Sequence, residues 1–140
     1  MTPAERQDLE REISEEIGYR CEPVDFRDGS GQTQRHYRFL GPNEEPLLSG
    51  FGSRLEARTV EQCFSFWGPK WTTSEKCSAQ LLEMMPEPML TKYLSRGGYW
   101  QCDPCSDGLT SSAMSRDDPD RKLAIALAAA AWLESRKEGR

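Results

Sequence analysis

Two cysteines separated by two residues form the sharpest motif for chemistry in this sequence. They are Cys102 and Cys105, with Asp103 and Pro104 between them. A pair at this spacing can supply half of a structural zinc site or act as a redox dithiol. A redox dithiol usually opens a helix, whereas this pair closes a predicted strand into a turn. We therefore expect a structural role, with a metal-stabilised or enzymatic site as the alternative. The candidates for the additional ligands that zinc would need are Cys63, Cys77 and His36. These residues form no second closely spaced pair.

Other residue types that support catalysis occur in patterns that argue against the common enzyme classes. His36 is the only histidine; we predict that it faces solvent from a strand, and no nucleophile motif accompanies it. The glycine-rich segment at 29–31 lacks the lysine and the following helix of a phosphate-binding loop. The acidic pairs at 117–118 and 44–45 fall in a predicted helix cap and a loop. We therefore expect a non-enzymatic protein that needs no cofactor.

The acidic residues are concentrated at the start of the chain. The net charge is −5, and residues 1–28 hold nine acidic and four basic side chains. This balance argues against direct nucleic-acid binding, because contacts with phosphates need a basic surface. It favours binding to a basic surface on another protein, and the alternative is an acidic helix face that is only solvated. The candidate contact residues on this first helix are Glu5, Asp8, Glu12, Glu15 and Glu16.

Two tryptophans flank a short loop between two predicted helices. Trp67 and Trp71 are separated by glycine, proline and lysine. If both side chains are exposed, they are suitable anchors for a protein interface, since buried tryptophans often dominate binding energy there. The alternative is that both belong to the core. We include Trp67 and Trp71 among the candidate contact residues.

The first helix has clear start and stop signals. Residues 2–5 form a capping box with proline at the first helical position. Leu9, Ile13 and Ile17 repeat every four residues and predict one narrow apolar stripe. Gly18 is well placed to end the helix.

The middle of the chain is predicted to form a hairpin and two helices. The two strands flank a glycine-rich turn, and capping signals precede both helices. A strand within 59–67 is the alternative to the first of these helices, because that segment is rich in residues that favour strands. The predicted elements are strands over 19–26 and 34–40, helices over 54–66 and 74–85, and a short helical turn within 89–96.

The last third of the chain is predicted to form a second hairpin and a buried helix. Strands over 99–102 and 109–114 precede the helix. Within 117–134, apolar side chains fall on two opposite sides, so we expect this helix to be packed on both. Asp118 is predicted to cap it, with Pro119 at the first helical position.

Length and composition favour one α+β domain over residues 1–140, with 134–140 as a charged tail. The predicted order is α-β-β-α-α-β-β-α around a small antiparallel sheet, with the C-terminal helix buried. Five cysteines and an N-terminus without a hydrophobic signal core favour reduced thiols in the cytosol. The longest apolar run is about half of the ~20 residues that a membrane span needs.

The last third, from GYWQCDPC to the alanine-rich AIALAAAAWL, resembles the end of the phage ABA-sandwich domain family. The opening EREISEEIGYRCEP and the helix over 74–85 are also similar to that family. Two departures are PDRK, at 119–122, in place of a Pro-Leu pair, and the segment 47–71, which has no counterpart. The resemblance implies a three-layer arrangement of helices and sheet, a phage or prophage origin, and no shared catalytic residues.

The expected function is therefore that of a phage accessory protein in the bacterial cytosol. We expect it to bind a host or phage protein that has a basic surface, without contacting nucleic acid directly or a membrane. An inhibitor of a bacterial defence system, such as an anti-CRISPR protein, is one specific version. The alternatives are a domain built around Cys102 and Cys105, and a phage structural or assembly protein that self-associates.

Overall fold

The computed structural model describes residues 1–27, 29–43, 46–48, 57–104 and 113–138. These residues form helices and antiparallel strands, so the predicted α+β class is confirmed. The helices are α1 (Pro3–Ile17), α2 (Val60–Trp67), α3 (Glu75–Met84) and α4 (Arg121–Glu138). The strands are β1 (Arg20–Arg27), β2 (Thr33–Leu40), β3 (Pro46–Leu48), β4 (Met89–Tyr93), β5 (Tyr99–Asp103) and β6 (Arg116–Asp118).

The chain divides into two compact units, and each contains one three-stranded sheet. One unit comprises residues 1–13 and 70–140, and the other comprises residues 14–69. We call them the terminal unit and the central unit. The prediction of one domain over 1–140 stays a prediction, whereas the single predicted sheet is replaced by two.

The central unit is built around Phe39. Its sheet has the order β1-β2-β3, and Phe39 lies on the central strand with none of its surface exposed. The ring stacks on Tyr19 at 5.7 Å and meets Phe64 edge-on at 5.5 Å, both between ring centroids. Ala57 and Cys63 complete the buried cluster, which places α2 against β2. Aromatic contacts of this kind add to the stabilisation from burial alone.

Residues 60–67 form a helix and not the alternative strand. Thr59 caps it, since its hydroxyl accepts a hydrogen bond from the Gln62 backbone N–H at 3.1 Å. The helix thus begins later than the predicted start at 54, and residues 54–56 lie outside the described part of the chain. Local capping and an apolar side facing β2 outweigh the strand preference of the individual residues.

The prediction that His36 faces solvent is wrong, because only 8% of its surface is exposed. His36 lies on β2 opposite Val24 of β1, and beside it the Tyr37 N–H donates a hydrogen bond to the carbonyl group of the buried Ala57 at 3.0 Å, so the chain before α2 runs along β2 at this point. A hypothesis of surface chemistry at His36 has no support in this placement.

The terminal unit has a sheet in the order β4-β5-β6, and α4 packs against β5, β6 and α3. Strand β4 occupies the segment predicted as a helical turn, so that prediction is wrong. Its register with β5 stacks Tyr93 on Tyr99, with ring centroids 5.0 Å apart. Such cross-strand aromatic pairs stabilise a hairpin. The predicted strand over 109–114 lies mostly outside the described residues, and β6 is the partner of β5.

Helix α4 is buried, as predicted, but its start and end differ from the prediction. Asp120 caps it, because Oδ1 accepts hydrogen bonds from the backbone N–H groups of Lys122 at 3.0 Å and Leu123 at 3.4 Å. Asp118 instead lies in β6 and accepts a hydrogen bond from the Asp120 N–H at 2.8 Å. The helix continues through the predicted tail to Glu138. Its buried residues are Leu123, Ala124, Ile125, Ala126, Ala128, Ala129 and Leu133.

None of the helices in the described ranges combines the length and the apolar composition that a membrane crossing requires.

Candidate protein-binding surface

Helix α1, which carries the predicted acidic contacts, is fixed at its start by a capping box. The Thr2 hydroxyl accepts a hydrogen bond from the Glu5 N–H at 3.2 Å. In return, the Glu5 carboxylate accepts from the Thr2 hydroxyl at 2.9 Å and from the Thr2 N–H at 3.3 Å. These bonds satisfy groups that a helix start otherwise leaves unpaired. They also hold the pKa of the Glu5 carboxyl below its usual value, with the Thr2 hydroxyl bond as the largest cause.

One side of α1 faces the interior of the terminal unit. Ile13 is fully buried. Arg6 Nη2 lies 3.6 Å from Asp120 Oδ2, beside the first turn of α4. Glu10 Oε2 accepts a hydrogen bond from the Thr72 N–H at 3.2 Å. The opposite side of this part of α1 is therefore the side that a partner can reach.

Three of the five predicted acidic contacts lie on that opposite side, and the other two continue along the helix within the central unit. At ~100° per residue, all five fall within an arc of about 100° on the helix circumference. Residues 5, 8, 12 and 15 are alternately three and four residues apart, and residue 16 lies four residues after residue 12, so these pairs are neighbours on the helix surface. We call this set the acidic stripe. It consists of Glu5, Asp8, Glu12 and Glu15, which are exposed, and Glu16, which is half-buried.

Repulsion between the carboxylates of the acidic stripe opposes formation of the helix that carries it. Like charges three or four residues apart destabilise an isolated helix by roughly 0.2–0.5 kcal/mol per pair. The last turn of α1 contains no basic residue, and Glu15 and Glu16 lie near the negative end of the helix dipole. Glu5 is the exception, since it lies in the first turn.

An open groove adjoins the acidic stripe in the terminal unit. Its volume is about 580 Å³, and Glu12 belongs both to the stripe and to the groove. Arg116 reaches its wall, where Nη1 donates hydrogen bonds to the carbonyl groups of Ala113 at 3.2 Å and Ser115 at 2.8 Å. The groove combines an apolar surface with a second carboxylate, that of Glu134. Its lining residues are Glu12, Ala113, Met114, Arg116, Leu127, Ala130, Ala131, Glu134 and Ser135.

The two tryptophans do not form an exposed pair. Trp71 is only 2% exposed, so its predicted role as a surface anchor is wrong. Trp67 is half-buried and packs against the cluster around Phe39 in the central unit. Its neighbour Phe66 meets it edge-on at 6.4 Å between ring centroids and is 40% exposed. Sequence patterns did not single out Phe66, because spacing along a helix does not reveal which aromatic side chain the neighbouring strands leave uncovered.

The cysteine pair is only partly within the described residues. Cys102 is fully buried in β5, and burial, with a smaller contribution from Asp103, raises the pKa of its thiol to about 12. Cys105 lies outside the described residues. Among the residues that the structure describes, no group of three or more histidine, cysteine, aspartate or glutamate side chains is placed to hold a metal ion. The hypothesis of a site at Cys102 and Cys105 stays a prediction.

A scan of protein families, a search of curated proteins and a search of solved structures find no match to this chain. The resemblance to the phage ABA-sandwich family therefore stays a prediction. The geometry brings three of the predicted acidic residues to one exposed side of the terminal unit, beside a groove that the sequence did not indicate.

Proposed function

We propose that this protein acts by binding another protein through the acidic stripe of α1 and the groove beside it. The observation that carries the proposal is the alignment of carboxylates on the exposed side of α1, with Glu12 shared between stripe and groove. The complementary surface is basic, rich in arginine or lysine. Complementary charge of this kind accelerates association and selects among partners.

The groove is suited to an arginine or lysine side chain of the partner. Leu127, Ala130 and Met114 provide apolar surface for the aliphatic part of such a side chain. Glu12 and Glu134 provide carboxylates for its charged group. Arginine fits better than lysine, because its planar guanidinium can donate two parallel hydrogen bonds to one carboxylate.

The biological setting that we propose is a phage accessory protein in the bacterial cytosol. Its partner is a host or phage protein, and its effect is to block that protein's basic surface sterically and by charge. Inhibition of a bacterial defence protein is one form of this effect. The support is the acidic stripe and the resemblance of the first and last segments to phage proteins.

A peptide titration with matched charge variants tests the proposed surface. The probe is a short arginine-rich peptide, and amide chemical shifts report where it binds. We expect shifts along α1 and in α4 near Glu134, and loss of binding in Asp8→Lys/Glu12→Lys. The control Glu83→Lys/Asp117→Lys changes two exposed acids outside the stripe and raises the net charge of −5 by the same amount. Equal loss in both variants, or shifts elsewhere, contradicts the proposal.

A second candidate function, self-association, is favoured by the edge strand β4. Three apolar side chains at this edge are exposed: Met89 by 53%, Tyr93 by 38% and Leu94 by 84%. The other edge of the same sheet, β6, consists of three charged residues, and β1 contains Pro23 in mid-strand. Charges and prolines protect sheet edges against pairing. The edge at β4 has no proline, and Lys92, its one charge, lies over the Trp100 ring at 5.5 Å.

A second copy of the chain is the partner that fits this edge. Antiparallel pairing centred on Thr91 places Met89 of each copy opposite Tyr93 of the other copy. It also brings the end that carries Glu87 towards the oppositely charged end that carries Arg96. Because five paired residues bury less than a standard interface, we expect a weak dimer.

Light scattering over a concentration range tests this candidate. We expect the mass to rise towards that of a dimer, and Met89→Lys/Leu94→Lys to remain monomeric. The control Val24→Lys changes an exposed apolar residue on the β1 edge and should associate like the wild type. A constant monomer mass, or equal loss in the control, rules out pairing through β4.

A further inference from the structure

Two thiols of the central unit lie in the same buried cluster, between β1 and α2. Cys21 is on β1, where it pairs across the sheet with Phe39, and Cys63 is on α2. Cys21 packs against the buried cluster that contains Cys63. The Cys21 Sγ atom also lies 3.9 Å from the carbonyl oxygen of Val60, one helical turn before Cys63. Two elements that are distant in sequence thus bring two sulfur atoms together.

The two thiols differ in access. Cys63 is fully buried in the cluster around Phe39. Cys21 is half-buried at the edge of that cluster, on a strand that is itself a sheet edge. A soluble oxidant can therefore reach Cys21 first, whereas the buried Cys63 is shielded from it. This is the arrangement of an attacking thiol with a second thiol that resolves the intermediate.

We propose that Cys21 and Cys63 form an oxidation site, at which a reversible disulfide links β1 to α2. The oxidant class is a small-molecule disulfide, represented by glutathione disulfide. The site is independent of the acidic stripe on α1, and it goes beyond the proposed binding function.

The reaction proceeds by two thiol–disulfide exchanges. The Cys21 thiolate attacks one sulfur of glutathione disulfide, forms a mixed disulfide and releases one glutathione thiolate, which takes up a proton. Cys63 then loses its proton to solvent and attacks the Cys21 sulfur, which expels the second glutathione. Two protein thiols are oxidised to one disulfide, and one glutathione disulfide is reduced to two glutathione molecules.

The surroundings of Cys63 make its step the slower one. Interaction with the Cys21 side chain and burial both raise the pKa of the Cys63 thiol. The thiolate is the nucleophile in disulfide exchange, so a smaller thiolate fraction slows the attack. We therefore expect the mixed disulfide of Cys21 to accumulate at neutral pH and to convert to the internal disulfide faster as the pH rises.

The cross-link should stabilise the central unit. It closes the chain between Cys21 and Cys63 and so restricts the unfolded state, which is how disulfides contribute in the chain-entropy account. The oxidised protein should melt at a higher temperature than the reduced protein, and a dithiol reductant should reverse the shift.

Oxidation of the full chain by glutathione disulfide, followed by non-reducing peptide mapping, tests the proposal. We expect a peptide that joins Cys21 to Cys63, with the loss of two hydrogen atoms in mass. Cys77→Ser, which removes a half-buried cysteine of the terminal unit, should form the same link. Cys21→Ser should not form it, and because Cys21 is half-buried, this variant tests the link without opening a cavity in the core.

Three results overturn the proposal. In the first, Cys21 remains permanently as the mixed disulfide with glutathione. In the second, Cys21 forms its disulfide mainly with a cysteine other than Cys63. In the third, Cys63 is oxidised as readily in Cys21→Ser as in the wild type. A rise of melting temperature that also occurs in Cys21→Ser assigns the stabilisation to a different pair.

Discussion

Replacing Asp120 tests how the buried helix α4 begins. Its Oδ1 caps the helix through two backbone N–H groups, and its Oδ2 lies 3.6 Å from Arg6. Loss of a cap of this type costs about 1 kcal/mol. The partly exposed ion pair contributes roughly 0.2–1 kcal/mol, and the negative charge at the helix start adds about 0.3–1 kcal/mol. Asp120→Ala should therefore destabilise the terminal unit by about 1.5–3 kcal/mol.

Asparagine and a neighbouring aspartate provide the matched controls. Asp120→Asn retains a capping oxygen and loses only the charge, and with it the ion pair with Arg6, so it should cost about 0.5–2 kcal/mol. Urea denaturation followed by far-UV circular dichroism measures these differences as shifts of the midpoint. Asp118→Ala should cost less than Asp120→Ala, because Asp118 contacts the Asp120 N–H and not the first helical N–H groups. If Asp118→Ala costs more, or if Asp120→Asn costs as much as Asp120→Ala, the assignment of the cap is wrong.

Three further predictions concern acid stability, the tryptophan loop and a helix end. Side-chain hydrogen bonds from Arg121 and Lys122, in the first turn of α4, lower the pKa of Glu75 from its ordinary value of 4.5. The stability that Glu75 contributes is therefore complete above pH 4.5 and is lost as the pH falls through the lowered pKa. In urea melts, the difference between wild type and Glu75→Gln should therefore shrink below pH 4.5; a constant difference contradicts this. Trp71→Ala should cost about 3–5 kcal/mol and Phe66→Ala about 1 kcal/mol, and the reverse order in thermal or urea melts refutes the assigned burial. Gly68→Ala places a Cβ atom 2.4 Å from the Phe64 carbonyl oxygen, whereas the Cβ atom of Gly29→Ala has no neighbouring atom within 4 Å. Gly68→Ala should therefore lower the melting temperature, and Gly29→Ala should leave it unchanged.

Local signals allowed the starts of α1 and α3 to be predicted, whereas α2 begins after Thr59 and not at the predicted residue 54. The capping box at Thr2 and the Ser74 cap before α3 both act through side chains within three residues of the groups they satisfy. Such contacts depend little on the rest of the fold, so the sequence reveals them. At α4, three candidate aspartates stand close together, and the pairing of β6 with β5 decided which of them caps the helix.

Burial was harder to predict than secondary structure. His36 and Trp71 are both buried, and burial depends on which distant segments pack over a side chain. Their own sequence surroundings, with arginines beside His36 and a loop before Trp71, suggested exposure. Strand β4 was missed for a related reason, since its five residues gain their regular structure from pairing with β5.

The candidate site was predictable only in part. The acidic stripe follows from the periodicity of a single helix, so its residues were identified correctly as neighbours. The groove requires residues near 113–116 and the second half of α4 to meet beside Glu12. This contact between distant segments is a tertiary feature that the spacing of residues along the chain does not predict.

The most direct test of the binding function is comparative affinity capture from bacterial lysate. The wild type, Asp8→Lys/Glu12→Lys and the control Glu83→Lys/Asp117→Lys are immobilised at equal density, and bound proteins are quantified by mass spectrometry. The proposed function predicts a basic protein that the wild type and the control retain, that added salt weakens, and that the stripe variant loses. A bound protein retained equally by all three, or no protein that distinguishes the stripe variant from the control, contradicts it.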